Sequence, residues 1–219
     1  MYRARAIMHL AVVLPVEFFV RPMQFIREYQ ISDSGICDAL IRCFKECEAH
    51  NCVHRGRLGP AKVQLELKDS YDLSLSNIPP SVRDAYNDIF DAYFTALGEF
   101  ASDYMDRFPH LRSHTRSCSI NESPNIQHYP PNGGFFEEHY ENAGPSVAKR
   151  ILTFQSYLND VQEGGGTRFV YQDYVAKPAK GKTVLWPAGY THVHCGEVAP
   201  HEDKYIITGW WSYDEPAGA

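Results

Sequence analysis

Two short stretches of the chain concentrate the side chains able to bind a metal ion. In "YTHVHCGE", His192 and His194 stand two positions apart, and in "FFEEHYENAG" His139 and Glu141 do the same. Residues i and i+2 of a β-strand share a face. If both stretches are extended, one presents an imidazole beside a carboxylate and the other presents two imidazoles. His139, Glu141 and one histidine of the downstream pair would then make a set of two imidazoles and one carboxylate. Such a set occupies one face of an octahedral metal and leaves three positions open. That suits non-haem Fe(II), which has to bind a chelating cosubstrate and O₂ together. Periodicity does not separate His192 from His194. Glu137 and Glu138 are competing carboxylates, but they precede His139 and lack the i, i+2 relation to it.

A third cluster, "CFKECEAHNCVH", holds Cys43, Cys47, Cys52, His50 and His54, with Cys37 just upstream. Its spacing matches no common zinc module. Ile36, Leu40, Phe44 and Cys47 instead form an apolar stripe at helical spacing, so reduced thiols packed in a core are expected there. Gly164, Gly165 and Gly166 are followed by no helix carrying Lys-Ser or Lys-Thr. They read as a turn between strands, not as a phosphate-binding loop. His128 and His201 read as loop or surface residues.

The elements that must position these side chains divide the chain into a helical first half and a stranded second half. Ser32, Asp33 and Ser34 are good caps for a helix over "ICDALIRCFKECEAH". Residues 55–80 are looser, with alternation in "AKVQLELKDSYDLSL", and close at Pro79-Pro80. From Ser81 the residues Val82, Tyr86, Ile89, Phe90, Tyr93, Leu97, Phe100 and Tyr104 recur at helical spacing until Phe108-Pro109, which predicts one long supporting helix. Beyond Ser117, short apolar or alternating runs between turn signals predict strands at 117–122, 125–130, 137–142, 148–159, 167–177, 181–187, 191–199 and 204–214. Eight short strands at this spacing make a sandwich or a barrel.

Composition narrows the function classes. The chain has 219 residues, enough to bury a sizeable core as one domain, and its 14 Tyr, 12 Phe and 3 Trp favour a β-rich core with aromatic-lined pockets. With a net charge of −6 and no basic run, nucleic acid is disfavoured as a partner. The run "AIMHLAVVLPVEFFV" near the N-terminus is interrupted by His9, Pro15 and Glu17, which leaves it too broken to span a bilayer. It lacks a clean small-x-small exit for a signal peptidase and reads as a strand packed on the domain. Without a secretory signal the six cysteines are expected to be reduced, and a cytoplasmic location is the simpler expectation.

Taken in order, "HYPPNGGFFEEHYEN", "LNDVQEGGGTRFVYQ", "VAKPAKGKTVLWP", "HVHCGEV" and "KYIITGWW" resemble the Fe(II)/2-oxoglutarate-dependent oxygenases of the prolyl 4-hydroxylase-like branch, over about residues 120–213. The resemblance implies an α+β, mainly β fold: a double-stranded β-helix (jelly-roll) core with N-terminal supporting helices. It implies one domain over 1–219, with an N-terminal strand and supporting helices in 1–116 and the core in 117–215. It also chooses between the two histidines. In that family the downstream iron ligand lies two places before a glycine, which is His194 ahead of Gly196, so the implied ligands are His139, Glu141 and His194, with His192 left beside the site.

The family further carries a basic residue some nine or ten positions past that histidine, which grips the far carboxylate of 2-oxoglutarate, and often a tyrosine ten positions before the first histidine. Lys204 lies ten past His194 and Tyr129 lies ten before His139. Lys204, Ile206, Thr208 and Trp210 alternate onto one face, where a buried lysine would be hard to rationalise without an anionic partner. Thr208 shares that face and joins Tyr129 and Lys204 in the expected cosubstrate pocket. The family usually has Asp where this chain has Glu141, and the extra methylene is expected to bear on efficiency more than on reaction type.

The activity so implied is hydroxylation of an unactivated C–H bond, with a peptidyl proline as the leading substrate and succinate and CO₂ as co-products. The implied cofactors are Fe(II), 2-oxoglutarate, O₂ and ascorbate. The expected partner is a peptide or small-molecule substrate, with no nucleic acid and no membrane. Hydroxylation of a free amino acid or small metabolite is the nearest rival. A cupin-like jelly-roll metal protein without oxygenase activity is a rival of another class, and it would leave Lys204 and Tyr129 without a role.

Overall fold

The computed structural model of the chain describes residues 25–58, 63–114 and 117–215. The strand expected within residues 6–20 lies outside the described residues. In chain order the elements are β1 (Arg27–Gln30), α1 (Ser34–Ala49), β2 (His54–Arg55), β3 (Lys68–Asp69), β4 (Tyr71–Ser74), α2 (Pro80–Arg107) and α3 (Pro109–His114). There follow β5 (Cys118–Ser119), β6 (Asn125–Tyr129), β7 (Gly134–Phe135), β8 (Arg150–Tyr157), β9 (Thr167–Phe169), β10 (Tyr174–Ala176), β11 (Lys182–Pro187), β12 (His194–Gly196) and β13 (Lys204–Tyr213).

Both long helices start where local chemistry directs. The Asp33 carboxylate accepts from the Gly35 backbone N–H at 2.8 Å and caps α1. Pro80 opens α2, where its missing N–H leaves no helical bond unmade, and Pro109 follows the last turn.

An antiparallel sheet runs in the order β1-β11-β8-β13-β6-β4-β2, with β5 paired to the end of β13. A three-stranded sheet, β10-β9-β12, and the pair β3-β7 complete the strands. The period-two alternation of β13 assigns its two faces. Tyr205, Ile207 and Trp211 pack with Leu73, Ile126, Leu152, Phe154 and Leu185 against Leu40, Phe44, Tyr93 and Leu97 of the helices, in a core of buried residues. Ile206 points the other way and joins Tyr129, Tyr157, Phe169, Val184 and Trp186 in a second apolar cluster. The two sheets face each other as the expected jelly roll, and the helices close the outer face of the larger one.

Several expectations change. The segment before 117 is not purely helical, because β1, β4 and β2 extend the large sheet at its two edges. Residues 137–142 form no strand and touch β12 through one isolated antiparallel bridge between His139 and His194. The stretch 167–177 is a hairpin of β9 and β10, turned by Asp173 at φ 46°, not a single strand. The stretch 191–199 begins in a 3₁₀ turn, Tyr190–His192, and only His194–Gly196 is extended. Gly164 and Gly165 hold φ near +67° and +69° in the expected turn. A Cβ on Gly164 would stand 2.0 Å from the Val198 carbonyl oxygen, so glycine is required there by space as well as by φ. Among the described residues no helix is long and apolar enough to cross a membrane.

The helix–sheet core predicts a separable stability effect. Leu40 is fully buried in it, and Leu40→Ala is expected to lower unfolding free energy by about 3 kcal/mol through lost burial and a residual cavity. Urea unfolding of the two chains checks this, and metal affinity of the folded variant should be unchanged.

Candidate metal centre and cosubstrate pocket

The isolated bridge between His139 and His194 is the joint of the site. His139 N–H donates to the His194 carbonyl at 3.0 Å and His194 N–H donates back to the His139 carbonyl at 2.9 Å. The two side chains are thereby opposed, with ring centroids 4.5 Å apart. Glu141 is placed by its own N–H, which donates to the Ala188 carbonyl at 3.0 Å. One ligand atom from each of His139, Glu141 and His194 falls within 4.8 Å of the others, and no other His/Cys/Asp/Glu group among the described residues converges this way. Glu141 Oε1 lies 3.1 Å from His194 Nε2 and 3.8 Å from His139 Nε2.

The imidazoles are oriented from behind. His139 Nδ1 is 2.8 Å from the Glu137 carbonyl and His194 Nδ1 is 2.9 Å from the His192 carbonyl. A carbonyl only accepts, so both Nδ1 atoms carry a proton, which leaves the two Nε2 atoms, on the Glu141 side, as the ones able to bind a metal. Phe135 stacks on His139 at 3.9 Å, and Trp186 and Phe169 flank His194 at 5.0 and 5.5 Å, which locks the rings. Burial, followed by the neighbouring His194, pushes the His139 imidazole down to about 4, so it is neutral at pH 7. Burial alone would raise the Glu141 carboxyl. The hydrogen bond and charge of His194, with His139 and Arg150, outweigh it and hold that group at about 2. Two imidazole Nε2 atoms and one carboxylate within 4.8 Å of one another are a donor set that suits a divalent cation, so the residues present fit Fe(II).

His192 and His194 do not share a face. His192 sits in the 3₁₀ turn, buried, with Nδ1 2.9 Å from the Thr191 hydroxyl and its ring edge toward Phe25. Its contribution to the centre is its backbone carbonyl. Glu138 pairs with Arg168 at 3.0 Å, outside the cluster. His201 is exposed, as expected. His128 is neither loop nor surface: it lies on β6, stacked on Tyr205 at 4.4 Å, with Nε2 2.6 Å from Asp203. Cys37, Cys43 and Cys47 are fully buried in the helix–sheet core, where burial pushes the thiols of Cys37 and Cys43 up to about 11 and 12. His50 and His54 are exposed.

Tyr129, Lys204 and Thr208 line one cavity of about 1130 Å³ with the three candidate ligands. Lys204 is 3% exposed, and its Nζ lies 4.6 Å from the Tyr129 ring centre. The ammonium donates to the Gly165 and Glu197 carbonyls at 3.2 and 3.3 Å, and no carboxylate among the described residues pairs with it within 4 Å. Burial pulls its pKa down to about 8. A Cβ on Gly196 would lie 3.7 Å from that Nζ, so the glycine leaves open the space between the lysine and the strand carrying His194.

The other two expected donors are already engaged. The Thr208 hydroxyl donates to the Phe154 carbonyl at 2.9 Å. Tyr129 donates to Gln127 Oε1 at 2.9 Å, while Gln127 Nε2 donates to Asp72 at 3.2 Å, which fixes the sense of the amide. Lys68 in turn donates to Asp72 at 2.6 Å.

Gln127, Asp72 and Lys68 were not among the expected site residues, nor were Arg150 and Glu122, whose guanidinium–carboxylate pair abuts Glu141. The alternation of β6 put Gln127 beside Tyr129, which was a usable signal. Asp72 arrives only through the pairing of β4 with β6.

Two substitutions separate the histidines: His194→Ala is expected to abolish binding of Co(II) or Fe(II) in equilibrium titrations, and His192→Ala to retain it within a few-fold.

Residues 124–212 match the family model of the 2OG-Fe(II) oxygenase superfamily. Among curated proteins none matches the sequence. Solved structures with a similar fold include a viral collagen prolyl hydroxylase of Paramecium Bursaria Chlorella virus-1 in its 2OG complex, at TM-score 0.63 and 18% identity, covering 89% of this chain and 99% of that one. A Pseudomonas putida prolyl-4-hydroxylase aligns at TM-score 0.65 and 15% identity over 87% of this chain and 94% of its own. A Trichoplax adhaerens prolyl hydroxylase, in complex with a hypoxia inducible factor peptide fragment, aligns at 0.66 and 12% over 87% and 84%. Residues 124–212 thus match the 2OG-Fe(II) oxygenase superfamily, and the chain has the fold seen in the prolyl 4-hydroxylases.

Proposed function

We propose that the chain is a hydroxylase that uses O₂ to oxidise 2-oxoglutarate to succinate and CO₂ and an unactivated C–H bond to C–OH, one oxygen atom entering each product, the substrate being a peptidyl proline. The observation that carries the cosubstrate reading is Lys204, a buried ammonium without a carboxylate partner among the described residues, in the same cavity as His139, Glu141 and His194. Burying an unpaired charge is costly, so a site that keeps one there has an anion to receive. Residues i and i+2 on β12 lie about 6–7 Å apart along the strand. The ammonium beside Gly196 and the imidazole of His194 therefore match the two ends of a five-carbon diacid.

Fe(II) held by His139, Glu141 and His194 would supply activation of O₂, the oxidant both for decarboxylation of the oxo acid and for C–H cleavage. The chain's own residues do the rest. Lys204 grips the far carboxylate through a charge-assisted bond strengthened by burial. Trp186, Phe169 and Phe135 wall the imidazoles off from water. Toward its mouth the cavity passes Asn77, Ser123 and Asn125, short polar side chains suited to the backbone of a peptide. Ascorbate as an accessory reductant and a reducing, cytoplasmic compartment belong to the same reading, the latter supported by six free cysteines.

The test is turnover. The Fe(II)-loaded chain is expected to convert 2-oxoglutarate to succinate, faster with a proline-containing peptide, and to leave one added oxygen on that peptide by mass spectrometry. Added oxygen on a free amino acid alone would move the substrate class, and no succinate with any peptide or amino acid would overturn the oxygenase reading.

Lys204 gives a second expectation. Its folded pKa of about 8 lies below the usual 10.5. The penalty for holding the charge is therefore full below pH 8, relieved between 8 and 10.5 and absent above. In the chain free of metal and 2-oxoglutarate, Lys204→Met should raise stability at pH 7, by at most roughly 3 kcal/mol. The gain should fade toward pH 10.5, and the rise in melting temperature that 2-oxoglutarate gives the metal-loaded wild type should be lost. Thermal unfolding across pH, with and without the oxo acid, checks both.

A further inference from the structure

Glu141 has one more rotatable bond than the aspartate usual at this position, so its carboxylate must be steered to meet two fixed imidazoles. The structure shows how its two oxygens are divided. Oε1 faces the histidines, 3.1 Å from His194 Nε2, while Oε2 accepts the Trp210 indole N–H at 2.9 Å. Trp210 is itself held. The Arg150 guanidinium lies over its ring at 3.5 Å, Arg150 Nε donates to Glu122 at 2.8 Å, and the same guanidinium donates to the Glu141 main-chain carbonyl at 3.1 Å. Arg150 also approaches Oε2, but only to 3.8 Å. Its closer bonds go to Glu122 and to the Glu141 main-chain carbonyl, so the short directional bond to Oε2 is the indole's. The indole N–H is a single directional donor with no charge. It fixes a carboxylate oxygen without competing with a cation for the charge.

We propose that Trp210, braced by Arg150 and Glu122, is a positioning residue that fits a glutamate into the metal centre: its N–H holds Oε2 so that Oε1 alone is presented beside His139 and His194. This rests on the reading of His139, Glu141 and His194 as metal ligands. An aspartate cannot use the same clamp. Its carboxylate ends one carbon–carbon bond short, and it cannot meet the imidazoles and keep the indole bond together. The clamp and the longer ligand therefore form one unit.

A double-mutant cycle on Co(II) affinity, with no cosubstrate or turnover, tests this. Trp210→Phe keeps an aromatic ring for Arg150 to cover and removes only the donor. It is expected to weaken Co(II) binding about tenfold, the lower end of what loss of an outer-sphere partner costs. In the Glu141→Asp background the same Trp210→Phe change should alter affinity less than threefold. The Co(II) visible spectrum of W210F should also differ from wild type, as a freed carboxylate takes up metal with both oxygens, while the spectra of E141D and the double variant should coincide. Trp210→Tyr, whose ring also covers Arg150 and whose hydroxyl lies elsewhere, repeats the comparison free of any folding defect peculiar to phenylalanine.

Equal losses in both backgrounds would mean a merely structural tryptophan and overturn the clamp, as would wild-type affinity and spectrum in W210F. Failure of the wild-type chain to bind Co(II) would overturn the metal-ligand reading itself, and the clamp with it.

Discussion

Two backbone hydrogen bonds, exchanged between His139 and His194, hold the centre together. They are the only strand-like pairing of residues 137–142 among the described residues, and they join a loop to the short strand β12. Backbone bonds have little freedom once made, so the two imidazoles they carry are aligned before any metal arrives. The remaining interactions add to that alignment: carbonyls of Glu137 and His192 behind each ring, Phe135 stacked on one, Trp186 against the other. A ligand set pre-organised this way loses little conformational entropy on binding a cation.

Around this joint the fold separates two kinds of interior. Toward the helices the large sheet is mostly apolar, with the Ser156 hydroxyl hydrogen-bonded to those of Thr183 and Tyr93, and its contribution is stability by burial. Toward the small sheet it carries Gln127, Lys204, Thr208 and Trp210 beside apolar Ile206 and Tyr129. Period-two alternation makes this division with one strand, because each step along β13 reverses the environment. A slip of one residue would put Lys204 against Phe44 and Leu40 and the apolar Tyr205 into the cavity, which is why the register of β13 against both β6 and β8 matters to the site.

Much of this was legible in the sequence because it rests on local rules. The helix caps, the proline boundaries and the alternation of β13 are each written within a few residues. The choice of His194 over His192 was not written in the periodicity and came from the resemblance, through the offset to Gly196. Equal faces were expected for both, and the 3₁₀ turn at Tyr190–His192 removes His192 from the strand altogether. Nothing local announces that turn. Similarly, His128 reads as a polar residue in a loop, whereas its ring lies between Tyr205 and Tyr71, contacts made by pairing β6 with β13 and β4. Asp72 and Glu122 are likewise defined by partners distant along the chain, Gln127 for one and Arg150 for the other. Side chains whose role is to orient another side chain carry no pattern of their own. They become visible only when the sheet order is known.

The hydrogen-bond directions in the pocket sharpen what the residue types alone implied. Tyr129, Lys204 and Thr208 appear as three equivalent donors for an anion when only their positions are considered. Asp72 can only accept, so it turns the Gln127 amide to present Nε2 to it and Oε1 to Tyr129, and the tyrosine proton is thereby committed. Thr208 is committed to Phe154. The lysine is left as the one cationic donor of the three, held by two carbonyls at 3.2 and 3.3 Å, long for bonds from a cation. A carboxylate arriving there would replace weak neutral acceptors by an ionic one while leaving the tyrosine and threonine bonds intact. Recognition of such an anion would need no rearrangement of the barrel wall, and its strength would rest on one buried charge.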